Sequence, residues 1–511
     1  MDREDNHYAR LGIPYDATPE EIRHAYRVAA RRLHPDTNVD AGATELFLKI
    51  QESYEVLNDP ARKQTYDTSL PPDITAPPPV SIDIQYSRET LQQLSEPQLI
   101  YVLMELTARP DTKVNTSPPL NVCLVIDCST SMQGEYLDTV KSTAIELVRQ
   151  LRTQDNLSVV TFSDRAEVIV PAGNRSEPSK LETLIRMLQT SGGTEIFKGL
   201  EAGYNEVFRL LRKDRINHII MLTDGRTYGD EADCMHIAEQ AANYGVGISA
   251  LGIGSKWNDA FLDSLASVTG GSSVYVSKPK DLQDYLKGKF SGLGKSFVDR
   301  VTFSFEFGVG VEMRYAFRLQ PDAAQLPFES PIQLGSIPLE STLGILMEFF
   351  VASVPPGLNI ITLLDGHITV DIPTRNIPSH TLRSRLNRPT SVSPDLGAPP
   401  MAIMQAMSKI TLFRMQERAQ EDLATGNIEE ATHRLQNIAT HLLAQGEREL
   451  ADAVLEEAKH ILQYQKISEE GKKRIKYGTR DLMLPSPHRS KILDDSTKEH
   501  FASEVGKGAG E

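Results

Sequence analysis

The sequence predicts a multidomain protein. An all-α helical hairpin comes first, an α/β doubly wound domain is inserted in or beside an antiparallel β-sandwich, and a C-terminal α-helical segment follows. Three observations carry this reading. The prolines of LPPDITAPPP interrupt the helical pattern after residue 70, because proline lacks the N–H a helix interior needs and favours an extended spacer. Between 120 and 290, strand-like and helix-like stretches alternate, as they do in a parallel sheet covered by helices. On both sides of that stretch the apolar period falls to two, that of a half-buried strand.

The first unit, 1–70, holds two amphipathic helices. Thr18-Pro19-Glu20-Glu21 is a capping box with proline at the first helical position. Ile22, Ala25, Tyr26, Ala29 and Leu33 form the apolar stripe of the helix that follows, and Arg23, Arg27 and Arg31 recur on the other face at i, i+4 and i+8, with Arg32 beside them. Like charges at that spacing repel, so the stripe is costly unless a partner uses it. Phe47, Ile50, Tyr54 and Leu57 mark the second helix, and His34-Pro35-Asp36 lies in the short connection between the two.

After the linker at 71–79, VSIDIQY and LIYVLMELTA within 80–115 read as strands too few to fold alone. They are expected to complete a sandwich with VTFSFEFG, VEMRYAFRL and STLGILMEFFVA from 293–380, leaving the doubly wound domain, 116–292, as an insertion. Asp365-Gly366 signals a hairpin turn. Residues 398–466 read as an arm of three helices broken at Gly426-Asn427 and Gln445-Gly446. Residues 467–511 are polar and aperiodic, hence expected to be a flexible tail in which Lys472, Lys473, Arg474 and Lys476 are a solvated charge run.

Composition narrows the function. Sixty-nine acidic against 54 basic residues give a net charge of −15, the wrong sign for wrapping nucleic acid or lying on an anionic membrane. The N-terminus is charged without an apolar core, and the most apolar stretch carries Glu348 and is broken by Pro355, Pro356 and Gly357, so neither a secretory signal nor a membrane span is expected. Cys123, Cys128 and Cys234 form neither a disulfide framework nor a zinc module. A cytoplasmic protein follows. Cys128 reads as a small buried residue, His218 and His236 as structural or solvated, and Trp257 as packed near a helix start at the rim of the crevice.

The first strand of the doubly wound domain ends in Asp127-Cys128-Ser129-Thr130-Ser131. If the turn stays extended, Asp127, Ser129 and Ser131 share one side. Thr194 in SGGTEI and Asp224 after HIIMLTDG fall at the carboxyl ends of other strands or in the loops beside them, where such sheets place their ligand crevice. Two carboxylates and three hydroxyls are hard oxygen donors, suited to Mg²⁺, with Mn²⁺ or Ca²⁺ as substitutes, rather than to zinc. Neutral hydroxyls leave the ion under-neutralised, so an external carboxylate is its expected partner.

Two resemblances sharpen these readings. From Tyr8-Ala9-Arg10-Leu11-Gly12, through His34-Pro35-Asp36, to QESYEVLNDPARKQTYD ending at Asp67, the chain resembles the J domain of DnaJ-type co-chaperones. The resemblance implies that Arg23, Arg27 and Arg31 dock on an acidic surface of a DnaK-type heat-shock chaperone while His34, Pro35 and Asp36 trigger ATP hydrolysis there. Thr37 stands where many relatives have lysine, and Leu33 replaces the common aromatic residue. Residues 120–290, with DxSxS, the Thr in a GGT context and the TDG aspartate, resemble the von Willebrand factor A (VWA) domain with its metal-ion-dependent adhesion site (MIDAS). That resemblance makes Ser129, Ser131 and Thr194 direct or near-direct ligands and Asp127 and Asp224 direct or water-mediated ones, with a partner's Glu or Asp completing the site.

The expected function is a J-domain co-chaperone that recruits a client or assembly partner through the metal, with no catalytic residues of its own: no P-loop, GxSxG or HExxH occurs. The alternative is a metal-dependent scaffold with an incidental J domain. A metal-assisted hydrolase using Asp127 or Asp224 as base is a third reading, without a legible nucleophile or general-acid pair.

Overall fold

The computed structural model describes residues 6–11, 13, 15, 17–33, 43–70, 79–109, 117–173, 178–226, 229–375, 378–394 and 397–483. The linker at 71–78 and the segment 484–511 lie outside the described residues.

The N-terminal unit is built from α1 (His7–Leu11), α2 (Pro19–Leu33), α3 (Ala43–Asn58) and α4 (Pro60–Ser69). The capping box forms: the Thr18 amide donates to Glu21 Oε2 at 2.7 Å and the Glu21 amide to Thr18 Oγ1 at 3.3 Å, satisfying two otherwise unpartnered amides. Ile22 and Ala25 of α2 meet Ile50 and Leu57 of α3 in one core, and Tyr26 stacks on Tyr54 at 4.1 Å. Asp59 caps α4, and Tyr8 of α1 donates to Asp67 of α4 at 2.5 Å, closing the unit.

The sandwich has two five-stranded sheets. One runs β1 (Val80–Tyr86), β3 (Gln98–Ala108), β14 (Thr342–Val351), β11 (Val311–Gln320), β12 (Ala324–Gln325); the other β13 (Ile332–Pro338), β10 (Ser296–Phe307), β15 (Ile360–Asp371), β16 (Ser379–Ser391), β2 (Leu91–Gln92). β3 pairs antiparallel with β14 over ten residues, from Gln98↔Val351 to Thr107↔Thr342, so strands on either side of the α/β unit share one sheet. Two expectations need correction. The sandwich continues through β16 to Ser391, beyond residue 380. Asp365-Gly366 is no turn: both residues pair inside β15, with Arg385 and Ser384 of β16. A Cβ on Gly366 would lie 2.3 Å from the Ser304 carbonyl oxygen, so the glycine serves close approach of two strands.

Between β3 and β10 lies a six-stranded sheet, β6 (Ala166–Val170), β5 (Asn156–Phe162), β4 (Leu120–Asp127), β7 (Ile216–Thr223), β8 (Val246–Ile253), β9 (Ser273–Val276). It is parallel except for β6, an antiparallel edge strand that the apolar pattern does not reveal. α5 (Glu135–Gln150), α6 (Pro178–Arg186) and α10 (Pro279–Gly294) pack on one face; α7 (Ile196–Arg209), α8 (Glu231–Tyr244) and α9 (Asp259–Val268) cover the other.

Among the described residues the segment 398–466 holds the three expected helices, α11 (Met401–Ala424), α12 (Ile428–Ala444) and α13 (Arg448–Tyr464), and a fourth, α14 (Glu469–Asp481), follows them. α11 lays Ile403, Ala406, Ile410 and Phe413 on Leu103, Tyr315, Phe317 and Leu346 of the first sandwich sheet. That sheet is therefore buried on both faces, which explains why β3 and β14 read as nearly continuous apolar runs. The expected flexible tail is corrected for 468–483: α14 packs against the doubly wound domain, with Lys473 fully buried and Lys472 and Lys476 in ion pairs. Arg474 alone of that run is exposed.

Candidate metal centre and helical docking face

The crevice opens at the carboxyl end of β4. Asp127 is fully buried and accepts two bonds: Oδ1 from the Ser129 amide at 2.8 Å and Oδ2 from the Thr223 hydroxyl at 2.7 Å. Burial nevertheless pushes its carboxyl up to about 6. The chain does not stay extended past Ser129; Thr130–Met132 forms one 3-10 turn. The hydroxyls converge all the same, with Ser129 Oγ 3.0 Å from Ser131 Oγ. Ser131 Oγ donates to Asp224 Oδ1 at 2.7 Å and Ser129 Oγ approaches it at 3.5 Å. Burial raises the Asp224 carboxyl as well, against these two bonds.

Thr194 stands beside this cluster: a Cβ on Gly225, the residue after Asp224, would lie 2.7 Å from Thr194 Oγ1. Only glycine lets the Asp224 loop pass that close to the threonine. The structure thus brings Asp127, Ser129, Ser131 and Asp224 into one hydrogen-bonded group and sets Thr194 against its loop. Two carboxylates whose burial disfavours ionisation, ringed by hydroxyls, have the exposed Lys256 ammonium as a partial offset at Asp224; a small hard cation fits the deficit that remains. Among the described residues no group of three or more His, Cys, Asp or Glu could hold a metal; the donors gathered here are two carboxylates and neighbouring hydroxyls, all hard oxygens. Sequence reasoning missed Thr223, which orients Asp127, and Asp164, whose Oδ1 accepts the Gly193 amide at 2.7 Å and steadies the Thr194 loop. Thr223 had a signal, since it immediately precedes Asp224; Asp164 had none.

On the N-terminal unit, Arg23 and Arg27 lie exposed on α2. Their Nε atoms donate to the carbonyls of Pro19 and Arg23, at 3.1 and 3.3 Å. Among the described residues neither makes an ion pair, so both charges face solvent. Arg31 is on the same helix with its side chain outside the described set, and His34, Pro35 and Asp36 lie outside the described residues altogether. Cys123, Cys128 and Cys234 are buried and unpaired, and burial pushes the first two thiols up to about 12. His218 is buried, with Nε2 3.0 Å from Ser249 Oγ, and His236 is exposed. Trp257 is buried two residues before α9, its Nε1 donating to the Gly254 carbonyl at 2.7 Å.

Residues 6–67 match the DnaJ domain and residues 121–287 the von Willebrand factor type A domain. The chain joins a J domain to a VWA domain. Residues 401–485 match the Sll0103-like, C-terminal alpha-helical domain, which takes in all four C-terminal helices. The uncharacterized protein sll0103 of Synechocystis sp. is 26% identical, over 63% of this chain and 78% of that one. Chaperone protein DnaJ 2 of Thermus thermophilus is 49% identical over 63 residues, 12% of this chain and 22% of the relative, so the likeness is confined to the J domain. A von Willebrand factor type A structure from Catenulispora acidiphila superposes with a TM-score of 0.63 at 15% identity, over 79% of this chain and 96% of that one. The fold it shares thus extends well beyond the VWA domain. Among the described residues no helix is long and apolar enough to cross a membrane.

Proposed function

We propose that this protein is a co-chaperone: its J domain stimulates ATP hydrolysis by a DnaK-type chaperone through His34-Pro35-Asp36, and its VWA domain recruits a client or assembly partner in a metal-dependent way. The observation that carries the reading is the exposed Arg23–Arg27 face of α2 in a J domain on the same chain as the converged oxygen cluster. A small exposed cationic face gives fast, weak, salt-sensitive association, the behaviour a transient regulator needs. At the other site, Ser129, Ser131, Thr194, Asp127 and Asp224 would hold Mg²⁺. When bound, the ion supplies a Lewis-acidic position that a partner's Asp or Glu fills. The VWA residues then orient that carboxylate and perform no chemistry on it. Three buried unpaired thiols fit a reducing cytoplasm.

Single-turnover ATP hydrolysis by the cognate DnaK-type chaperone tests the first half. The wild-type chain is expected to accelerate it, His34→Gln to abolish the acceleration, and Ser129→Ala with Ser131→Ala to leave it intact. The double hydroxyl variant is expected instead to lose chelator-sensitive partner binding. Failure of the wild-type chain to stimulate would overturn the co-chaperone reading and leave a metal-dependent scaffold.

A further inference from the structure

The loop that carries Asp224 does not end at the crevice. Its next exposed side chain, Arg226, donates from Nε to the Lys256 carbonyl at 2.8 Å and from Nη2 to Glu469 Oε2 at 3.0 Å. Glu469 is the first residue of α14, and both partners of that ion pair are about half exposed. Glu469 is also shared: Lys473, fully buried, reaches Oε2 at 3.4 Å while donating to the Ser255 carbonyl at 2.7 Å. Releasing Arg226 would therefore leave the glutamate with a cation. Lys256 is exposed beside the same loop, its ammonium close enough to oppose the upward push of burial on the Asp224 carboxyl.

We infer that the docking surface around the metal extends onto Arg226 and Lys256, that it fits a partner segment bearing two neighbouring carboxylates, and that Glu469 of α14 is an intramolecular competitor for Arg226. One partner carboxylate would complete the metal site and the second would take the guanidinium from Glu469, exchanging one charge-assisted bond for another. The C-terminal helical domain thus sets the affinity of the VWA crevice through a single ion pair. The inference rests on the metal-dependent reading above.

The test is titration of the full-length chain with a fluorescein-labelled polyglutamate peptide, with Mg²⁺ or with chelator, followed by anisotropy. Glu469→Gln and Arg226→Gln break the same ion pair from opposite ends, so the loosening of α14 that comes from that pair is common to both, and the Lys473 contact is weakened in Glu469→Gln alone. Competition predicts opposite signs: Glu469→Gln tightens peptide binding and Arg226→Gln weakens it, each by about two- to fivefold, as suits a half-exposed pair. A purely structural latch would shift both the same way, and that result overturns the inference. Mg²⁺-dependent binding that is equal in all three chains overturns it while leaving the metal reading intact. Binding that ignores chelator in every chain removes both.

Discussion

Two helices near opposite ends of the chain carry the same cationic pattern and meet opposite fates. On α2, Arg23, Arg27 and Arg31 recur at i, i+4 and i+8; on α14, Lys472, Lys476 and Arg480 do the same. The described arginines of α2 bond only to carbonyls of their own helix and stay in solvent. The α14 stripe instead lies against a matching anionic stripe, Asp259 and Asp263, one turn apart on α9. Lys472 and Lys476 reach Asp259 at 2.9 and 2.7 Å, and Lys476 and Arg480 reach Asp263 at 2.7 and 3.1 Å. Tyr477, between the two cations, buries its ring beside Trp257 and donates its hydroxyl to Asp263 at 3.0 Å. Each stripe alone repels itself; facing each other, the two carboxylates offset most of the charge of the three cations. The same spacing therefore means a surface left open on one helix and a seam already closed on the other.

The sharpest way to break that contrast is to remove the complement. Asp263→Ala strips Lys476, Arg480 and Tyr477 of a shared acceptor; Lys476 keeps Asp259, and Arg480 is left in a largely buried seam without its carboxylate. Leaving buried charge uncompensated costs several kcal/mol, and since Asp263 is partly exposed the expected loss is about 3 kcal/mol. Urea unfolding followed by emission of Trp257, the single tryptophan of the chain, reads it directly, because that indole lies under the seam. An unchanged midpoint would mean that the α14 charges are as solvated as those of α2.

Acid should open the same seam. Burial alone would raise the Asp259 carboxyl, but the ammoniums of Lys476 and Lys472 outweigh it and hold it down at about 2. A carboxylate depressed in the folded state contributes stability that is fully present above its unfolded pKa, near 4, and is lost as pH falls through the folded value. The contribution is about 2 kcal/mol, because the folded carboxyl binds its proton nearly a hundredfold more weakly than the unfolded one. Asp259→Asn is therefore expected to flatten the pH 4 to 2 limb of the stability curve, while substitutions on α2 leave that limb unchanged.

The contrast also marks where the sequence is legible. The capping box at Thr18–Glu21 and the alternation through 120–290 are local signals, and the structure forms the elements they imply. The oxygen cluster was readable because Asp127, Ser129 and Ser131 are close in sequence, Asp224 directly follows a strand whose end must converge on theirs, and Thr194 lies in a GGT loop, between α6 and α7, beside the same crevice. The fate of Lys472–Lys476 was not readable. Their partners lie some 213 residues earlier, and nothing in this polar stretch states that a distant helix carries the complementary stripe. Asp365-Gly366 failed for the same reason: the local turn signal was overridden by the close approach of Ser304 from a neighbouring strand. What local chemistry shows is that a charge pattern needs a complement; whether the chain itself supplies it is a property of tertiary packing.

The smallest effect on stability belongs to α2, and it separates a surface kept for a partner from one merely tolerated. Arg23→Ala and Arg27→Ala remove exposed charges without ion pairs, so each is expected to change unfolding free energy by no more than about 0.5 kcal/mol; relief of i, i+4 repulsion gives a slight gain. If the stripe is a docking face, the cost appears elsewhere, as slower association with the DnaK-type chaperone in stopped-flow measurements and a shallower dependence of that rate on salt, since steering by surface charge is screened over about 8 to 10 Å at moderate ionic strength. A charge stripe that can be deleted with no loss of stability and a clear loss of on-rate is one the fold does not use for itself. If the on-rate and its salt dependence are unchanged, α2 carries uncompensated charge for no partner, and α14 remains the only basic helix of the two with a function in the structure.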